Sequence, residues 1–245
     1  MIQNKKILIT GATSGIGLAL CDFLIGKDCS VIAIGREKSK IANLIAKGGN
    51  KLKFVLLDLN EFHNYSKIFD EALAGEKFDG FVHCAGIEET LPLTMYNPDN
   101  VKRIFDINVF SGIELLRNFS KKKYSNDGAS VVYLSSVMGE LGQPGKIGYC
   151  ATKAAVLGVV KASALELAKR NFRINAISPG VVNTPMTEKL FSQIDAENIQ
   201  RIKDMHPLGI GNVEDIVPTI AFLLSDFSKW ITGQNIKIDG GYSIQ

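Results

Sequence analysis

Residues 6–17 read KILITGATSGIG. A short run of strand-forming residues passes straight into a glycine-rich turn, and a helical pattern opens behind it. Gly11 permits a sharp turn and a close backbone approach. Gly15 and Gly17 let the N-terminus of the following helix come close to the sheet, and to an anion such as a pyrophosphate that the helix dipole favours. The spacing is G-x3-G-x-G, not the G-x-G-x-x-G of the general dinucleotide fingerprint. Glycines also serve ordinary tight turns, so this loop has to be weighed with what surrounds it.

Working outward, the same strand-then-helix unit recurs. KILIT precedes a helical pattern at 15–26, SVIAIG one at 37–47, KFVLL one at 62–74 and FDGFVH one at 98–120. ASVVYLS then precedes 148–170, RINAIS precedes helical patterns to about 225, and NIKID comes last. The strand runs are apolar on both faces rather than alternating, which is the pattern of a parallel sheet covered on both sides. Repeated β-α units with right-handed crossovers give an α/β, doubly wound sheet. No Pro-, Gly- or Ser-rich linker interrupts residues 1–245, so one domain is expected. The stretch 184–211 breaks the rhythm. It is long, mixed in polarity and bounded by Pro185 and PLGIG, and is a candidate substrate-binding lid.

Bulk properties narrow the function. The chain has 245 residues, 46% hydrophobic and 22% charged, as expected for one α/β domain with a full core. A net charge of +3 is too small to argue for a nucleic-acid partner. The KKK at 121–123 reads as a solvated helix end. Cys21, Cys29, Cys84 and Cys150 have neither CxxC spacing nor a companion histidine cluster, which speaks against disulfides and metal and for a reducing compartment. No signal-peptide pattern and no run of membrane-spanning length is present, so the expected setting is cytoplasmic, with no membrane partner.

In an open parallel sheet, ligands sit beyond the carboxyl ends of the strands. The unusual residues of this chain fall there: the glycine loop, Arg36, Asp58, the CAG after His83, Ser135 and Ser136, and Pro179 with Gly180. At the end of the second strand a carboxylate would bind adenosine ribose hydroxyls. Here IGRE places Gly35 and then Arg36. An arginine can pair with a 2′-phosphate through two hydrogen bonds, which favours NADP(H) over NAD(H); the alternative is a surface arginine paired with Glu37 or another acid. Asp58, followed by Leu59, can accept a hydrogen bond from an adenine amino group, or can simply cap a helix. In GYCATKAA (148–155), Tyr149 and Lys153 share one helix face, as a proton-transfer couple or as a surface pair.

TGATSGIG, HCAG, Asn108 in FDINVFSG, Ser136, Tyr149-x-x-x-Lys153, SPG and ITGQNIKIDGGYS together resemble the short-chain dehydrogenase/reductase family, in order and over nearly the whole chain. The resemblance implies a Rossmann-type domain with a seven-stranded parallel sheet. It implies a catalytic tetrad of Asn108, Ser136, Tyr149 and Lys153, with Ser135 a strand-end residue. Gly11, Thr13, Ser14, Gly15, Ile16, Gly17, Arg36, Asp58, Leu59, His83, Ala85 and Gly86 would bind the dinucleotide. Pro179, Gly180, Val182 and Thr184 would line its nicotinamide, and Lys153 would hold the ribose. The reaction implied is hydride transfer between NADP(H) and a carbonyl or secondary alcohol. A free tyrosine is a poor base at neutral pH, and a nearby ammonium is expected to lower its pKa. Ser136 would bond the substrate oxygen. Asn108 would hold a water linking Lys153 to solvent, or would tie backbone together. The family usually has NNAG where this chain has His83-Cys84-Ala85-Gly86; the backbone role of Ala85 and Gly86 survives, and His83 is read as structural.

The substrate is a small carbonyl or alcohol, with Ser136, Gln143 and Tyr149 expected to touch it. Glu88, Glu89, Glu140 and His206 are further polar candidates. Within the family the chain is similar to β-ketoacyl carrier-protein reductases, sugar and polyol dehydrogenases and steroid-type reductases. A carrier-protein reductase should show a basic patch at the entrance, to which Lys169 and Arg170 could contribute, but YSNDGAS lacks the arginine expected there. A catalytically silent nucleotide sensor is the alternative from another class; it would not need Ser136, Tyr149 and Lys153 together. The tail GQNIKIDGGYSIQ reads as an edge strand, which a closed assembly would cover, and family tails of this kind pack across subunit interfaces. A homotetramer is expected, or failing that a dimer.

Overall fold

Strands that are apolar on both faces need cover on both faces, and the chain supplies it. The computed structural model describes residues 2–73 and 75–244; Ala74, the last residue of the expected third helix, lies outside the described residues. The strands are β1 (Lys6–Thr10), β2 (Ser30–Gly35), β3 (Leu52–Leu56), β4 (Phe78–His83), β5 (Ser125–Leu134), β6 (Arg173–Pro179) and β7 (Asn235–Ile238). They form one sheet in the order β3-β2-β1-β4-β5-β6-β7, parallel throughout. The helices are α1 (Gly15–Ile25), α2 (Ala42–Gly48), α3 (Tyr65–Leu73), α4 (Pro98–Phe105), α5 (Ser111–Phe119), α6 (Ile147–Leu167), α7 (Pro185–Phe191), α8 (Ala196–Asp204) and α9 (Val213–Leu224).

Successive residues of one strand enter different cores. Ile7 and Ile9 pack with Leu20 and Leu24 of α1 and Ile216 and Ile220 of α9. Leu8, between them, packs on the other face with Phe69 of α3, Leu115 of α5 and Val156 of α6. Each such side chain, fully buried, stabilises the fold by about 1.5–3 kcal/mol. The doubly wound, single-domain α/β architecture expected from the sequence is therefore the one observed. Because β1 pairs with β2 on one side and β4 on the other, the chain switches direction across the sheet there, and a crevice opens beyond the ends of β1 and β4.

Three expectations change in detail. The turn-like SNDG lies inside β5 rather than before it. Phe78 pairs with Ser125 and Gly80 with Ser130, so residues 126–129 bulge out between them, with Gly128 at φ +82°. Arg170 holds that bulge, donating to Asp127 Oδ1 at 2.6 Å and to the carbonyls of Ser125 and Ser120. The helical stretch 98–120 is broken at Asp106–Phe110 by a π turn. The KKK lies just beyond α5, where Lys123 covers the Tyr124 ring and pairs with Asp70.

Arg173, at the start of β6, is 8% exposed and, among the described residues, pairs with no carboxylate. Its guanidinium instead donates to the carbonyls of Leu223, Ser225 and Ser228 and to the Ser228 hydroxyl, at 2.7–3.1 Å. It caps the end of α9, where carbonyls lack helical partners. Arg173→Met is expected to lower unfolding free energy by about 2–4 kcal/mol in a denaturant titration, because buried acceptors lose their donor.

Candidate active site

The loop after β1 is shaped by crowding. Gly11 has φ +65°, and a Cβ there would lie 2.7 Å from Ala85 N and 2.8 Å from Ala85 Cα. A Cβ on Gly17 would lie 2.3 Å from the Gly11 carbonyl oxygen. Only glycine lets β1 turn against the end of β4 while α1 starts directly above it. Ser14, the N-cap of α1, stays extended and makes no side-chain bond to the first turn. The helix start is thus left uncapped by Ser14 on the crevice side, which suits a phosphate.

At the end of β2 a side chain on Gly35 would lie 2.4 Å from Thr13 Cγ2. The acid that could have stood there is sterically excluded by the loop itself. Arg36 is exposed, and among the described residues its guanidinium has no partner. Glu37, the acid it could have paired with, is taken by Lys40 at 2.9 Å. The uncapped helix start, the glycine crossings and an unpaired arginine fit a dinucleotide with a 2′-phosphate. Asp58 behaves as a capping residue: its Oδ1 accepts from the backbone and the side-chain amide of Asn60. Leu59 is buried, and its carbonyl accepts from Tyr65.

His83, the last residue of β4, is 1% exposed. Thr10 Oγ1 lies 2.9 Å from Nδ1, and Ser111 Oγ lies 3.4 Å from Nε2. The Ser111 hydroxyl proton goes to the Ile107 carbonyl, so Nε2–H donates to Ser111 and Nδ1 accepts from Thr10. Burial, reinforced by the Lys153 charge, pushes the His83 pKa down to about 3. The ring stays neutral and joins β1, β4 and α5. Thr10 Oγ1 also accepts from Ala85 N at 3.3 Å. Cys84, beside it, is a thiol raised to about 12 by burial.

Ser136, Asn108 and the Tyr149–Lys153 pair come from three different segments. Ser136 follows β5 and is 8% exposed; its Oγ accepts from Met138 N at 3.2 Å, and its hydroxyl is near enough to the Tyr149 phenol to pull that pKa down. Ser135, its neighbour, donates to the Lys153 carbonyl at 2.9 Å and so ties the strand end to α6. Tyr149 and Lys153 lie one turn apart on α6, with Nζ 5.6 Å from the ring centre. Lys153 is 5% exposed and donates to the Leu134 carbonyl at 2.7 Å. Asn108 sits on the π turn, whose extra residue rotates the side chains by about 100° relative to an uninterrupted α-helix.

One expectation is corrected here. The Tyr149 pKa was expected below its ordinary value; it is pushed up to about 12, by burial first and then by the Glu88 charge, against the lowering pull of Ser136. Burial likewise pushes Lys153 down to about 8. Desolvation disfavours both charged forms, so Tyr149 holds its proton firmly. Asn108 uses its side chain on backbone: Oδ1 accepts from Ile87 N at 2.8 Å, and Nδ2 donates to Ile87 O at 2.9 Å and Thr152 Oγ1 at 3.1 Å. It clamps the loop after β4, the second of the two roles considered. A Cβ on Gly86 would lie 3.3 Å from Asn108 Oδ1 and 3.5 Å from Lys153 Nζ, so this backbone passes beside both.

The remaining candidates separate. Gly180 N donates to the Ile238 carbonyl, and Pro179 and Val182 are buried. Thr184 caps α7, and its methyl would meet a Cβ on Gly15 at 3.3 Å, so the segment after β6 reaches across to the β1 loop. Glu140 is pinned by Asn235 and Lys237 of β7. His206 is 4% exposed: Nε2 accepts from Val181 N at 3.1 Å, so Nδ1 donates to the Ile202 carbonyl at 2.7 Å. Glu140, although exposed, and His206 both spend their polar atoms on partners within the protein. Gln143 is half-buried beside the serine loop with its amide unengaged. Arg170 grips the β5 bulge at the far end of α6 from Tyr149, so it forms no basic patch at the entrance. Besides Lys153, the charged residues that face Tyr149 are Glu88 and Lys146; a lysine before a helix reads as solvated surface, so Lys146 gave no signal in the sequence.

Comparison with known proteins agrees with this geometry. Residues 11–243 match the family model described as Enoyl-(Acyl carrier protein) reductase. The chain is 34% identical over 243 residues to the 3-oxoacyl-[acyl-carrier-protein] reductase FabG of Rickettsia felis, covering 98% of this chain and 97% of that protein. It is 34% identical over 251 residues to FabG of Thermotoga maritima, covering 99% of each. A short-chain type dehydrogenase/reductase from Mycobacterium ulcerans superimposes with a TM-score of 0.91 at 29% identity, over 100% of this chain and 91% of that one. ElxO with NADP bound superimposes with a TM-score of 0.88 at 27% identity, over 99% and 100%. With its glycine loop, its serine–tyrosine–lysine group and these full-length likenesses, the chain belongs to the short-chain dehydrogenase/reductase family of oxidoreductases.

Proposed function

We propose that this protein is an NADP(H)-dependent reductase of ketones that works in reverse on secondary alcohols. The observation that carries the reading is the convergence of Ser136, Tyr149 and Lys153 on the crevice whose other wall presents the glycine loop and an unpaired Arg36. When bound, NADP(H) supplies the hydride. Gly11, Thr13, Ser14, Gly15, Ile16 and Gly17 hold its pyrophosphate, and Arg36 holds the 2′-phosphate. Asp58, Leu59, His83, Ala85 and Gly86 border the adenosine, with His83 acting through backbone. Pro179, Gly180, Val182 and Thr184 line the nicotinamide end.

The chain's own contribution is proton handling and orientation. Ser136 turns its hydroxyl to the substrate oxygen, where negative charge grows as hydride arrives at carbon. Tyr149, protonated because its partly buried phenol is poorly solvated, gives its proton to that oxygen. Lys153 holds the ribose, and its charge assists the phenolate that Tyr149 becomes. Asn108 keeps Ile87, and so the substrate-side loop, in place. Gln143 borders the substrate, and residues 184–211 close over it. β-Ketoacyl-carrier-protein reduction is the second reading, favoured by the names of the FabG relatives. The entrance, however, lacks the expected arginine contribution.

The assembly we propose is a homotetramer. Phe227 and Trp230 before β7, and Ile244 after it, are 75%, 96% and 86% exposed, an apolar set that a partner would cover. Among the described residues no helix is long and apolar enough to cross a membrane.

A screen of ketones, oxo sugars and β-ketoacyl thioesters, following NADPH and NADH oxidation in parallel, is expected to give turnover with NADPH preferred. No turnover with any class, despite cofactor binding, would sink the reading. Arg36→Ala is expected to raise KM for NADPH by about 10- to 100-fold while leaving KM for NADH unmoved. Lys153 carries its charge below about pH 8. Therefore kcat/KM for reduction should be level below that pH and fall as the ammonium deprotonates above it; a profile still level at about pH 9.5 contradicts this role. Light scattering at micromolar concentration should find a tetramer, and monomer alone would refute the assembly.

A further inference from the structure

A charged pair lies beside the proton donor and has no part in the reduction as derived above. Lys146 immediately precedes α6. Its Nζ donates to Glu88 Oε1 at 2.8 Å and lies 5.9 Å from the centre of the Tyr149 ring. The two side chains are only 7% and 14% exposed. Glu88 follows Ile87, the residue that Asn108 clamps through both its N–H and its carbonyl. The pair is therefore fixed on the crevice wall, and the Glu88 charge is felt at the phenol.

Such a pair does little for stability. Taking both ions out of water offsets most of their attraction, and an apolar pair of similar volume would serve the fold as well. Its spare hydrogen-bonding capacity gives it a use. An ammonium has three N–H groups, and one of those on Lys146 goes to Glu88. Glu88 Oε1 accepts from both Lys146 and Thr90, while no described residue donates to its Oε2. Donor and acceptor thus stand side by side. A hydroxyl satisfies both at once, its oxygen accepting from Lys146 and its proton going to Glu88. A carboxylate would meet the Glu88 charge and the neighbouring Glu89, one of whose oxygens is already buried without a donor. An alkyl chain would strip water from two ions and return nothing.

We propose that Glu88 and Lys146 select the substrate, and that the substrate is an uncharged ketone with a hydroxyl close to the reacting carbonyl, of the kind found in oxo sugars and oxidised polyols. The inference rests on the ketone-reductase reading above.

The test compares two ketones of equal heavy-atom count, hydroxyacetone and butanone, together with acetoacetyl-coenzyme A, using the full-length protein and NADPH. The wild type is expected to favour hydroxyacetone over butanone in kcat/KM by about 100-fold or more, because polar groups built to bond a hydroxyl are left unpaired by its analogue. Removing one partner alone strands a buried charge, so the informative variant is the double one, Glu88→Leu with Lys146→Met. Its melting temperature and its NADPH fluorescence titration report that fold and cofactor site are intact. In it the ratio should fall to near one, through KM for hydroxyacetone rather than kcat. A wild type that does not discriminate, that prefers butanone or acetoacetyl-coenzyme A, or a double variant that keeps the preference, overturns the substrate assignment while leaving the reductase reading standing. NADPH binding with no oxidation on any of the three ketones overturns both.

Discussion

The crossing of the β1 loop over the end of β4 sets the geometry of everything else in the crevice. Gly11 has no room for a Cβ against Ala85, and Gly17 has none against Gly11 itself. Three backbone segments are stacked where any side chain would wedge them apart. Because they touch, α1 begins directly over the ends of β1 and β4, and its free first turn points into the gap between them. Thr10, His83 and Ser111 lock the same junction from below with hydrogen bonds between β1, β4 and α5. The site is consequently built on strand ends and helix starts held by a rigid core, not on free loops.

Burial governs the protonation states around that junction. It lowers His83 and Lys153 and raises Cys84 and Tyr149. All four shifts favour the neutral form, as desolvation dictates. His83, neutral and fully bonded, is removed from acid–base chemistry despite its place in the crevice. Tyr149 keeps its proton until charge develops on a neighbouring oxygen, a condition suited to an acid. The expectation that Lys153 would already depress Tyr149 overlooked that the two groups sit in the same dry environment, and that Glu88 is near enough to oppose it.

The sheet was legible because apolar two-sided runs and glycine turns are local signals. So was the glycine loop, since each of its glycines answers a steric demand within the β1–α1 unit. Tyr149 and Lys153 were legible through their spacing on one helix face, and Arg36 through its place at a strand end. What escaped depended on partners distant in sequence. SNDG looks like a turn and is one in conformation, yet Arg170, more than forty residues on, keeps it within the ladder of β5. The π turn at Asp106–Phe110 leaves no signature in FDINVFSG. The partners of Glu140 and His206 were likewise out of sight: their polar atoms stand in the sequence as possible contacts or as solvated groups, while Asn235, Lys237, Val181 and Ile202, which engage them, are distant or backbone.

His206 also links three parts of the molecule that sequence keeps apart. Its ring accepts from Val181 in the segment after β6, donates to Ile202 in α8, and stacks on Tyr242 at 4.7 Å, almost at the C-terminus. Both ring nitrogens are committed, so α8 cannot swing away from the Val181 segment without releasing the ring. The ring in turn is backed by the tail. Residues 239–242 therefore act as a doorstop for the 184–211 segment: a change there reaches the mouth of the crevice through the Tyr242 ring stacked on His206 and the Gly240 carbonyl that accepts from Leu208 N.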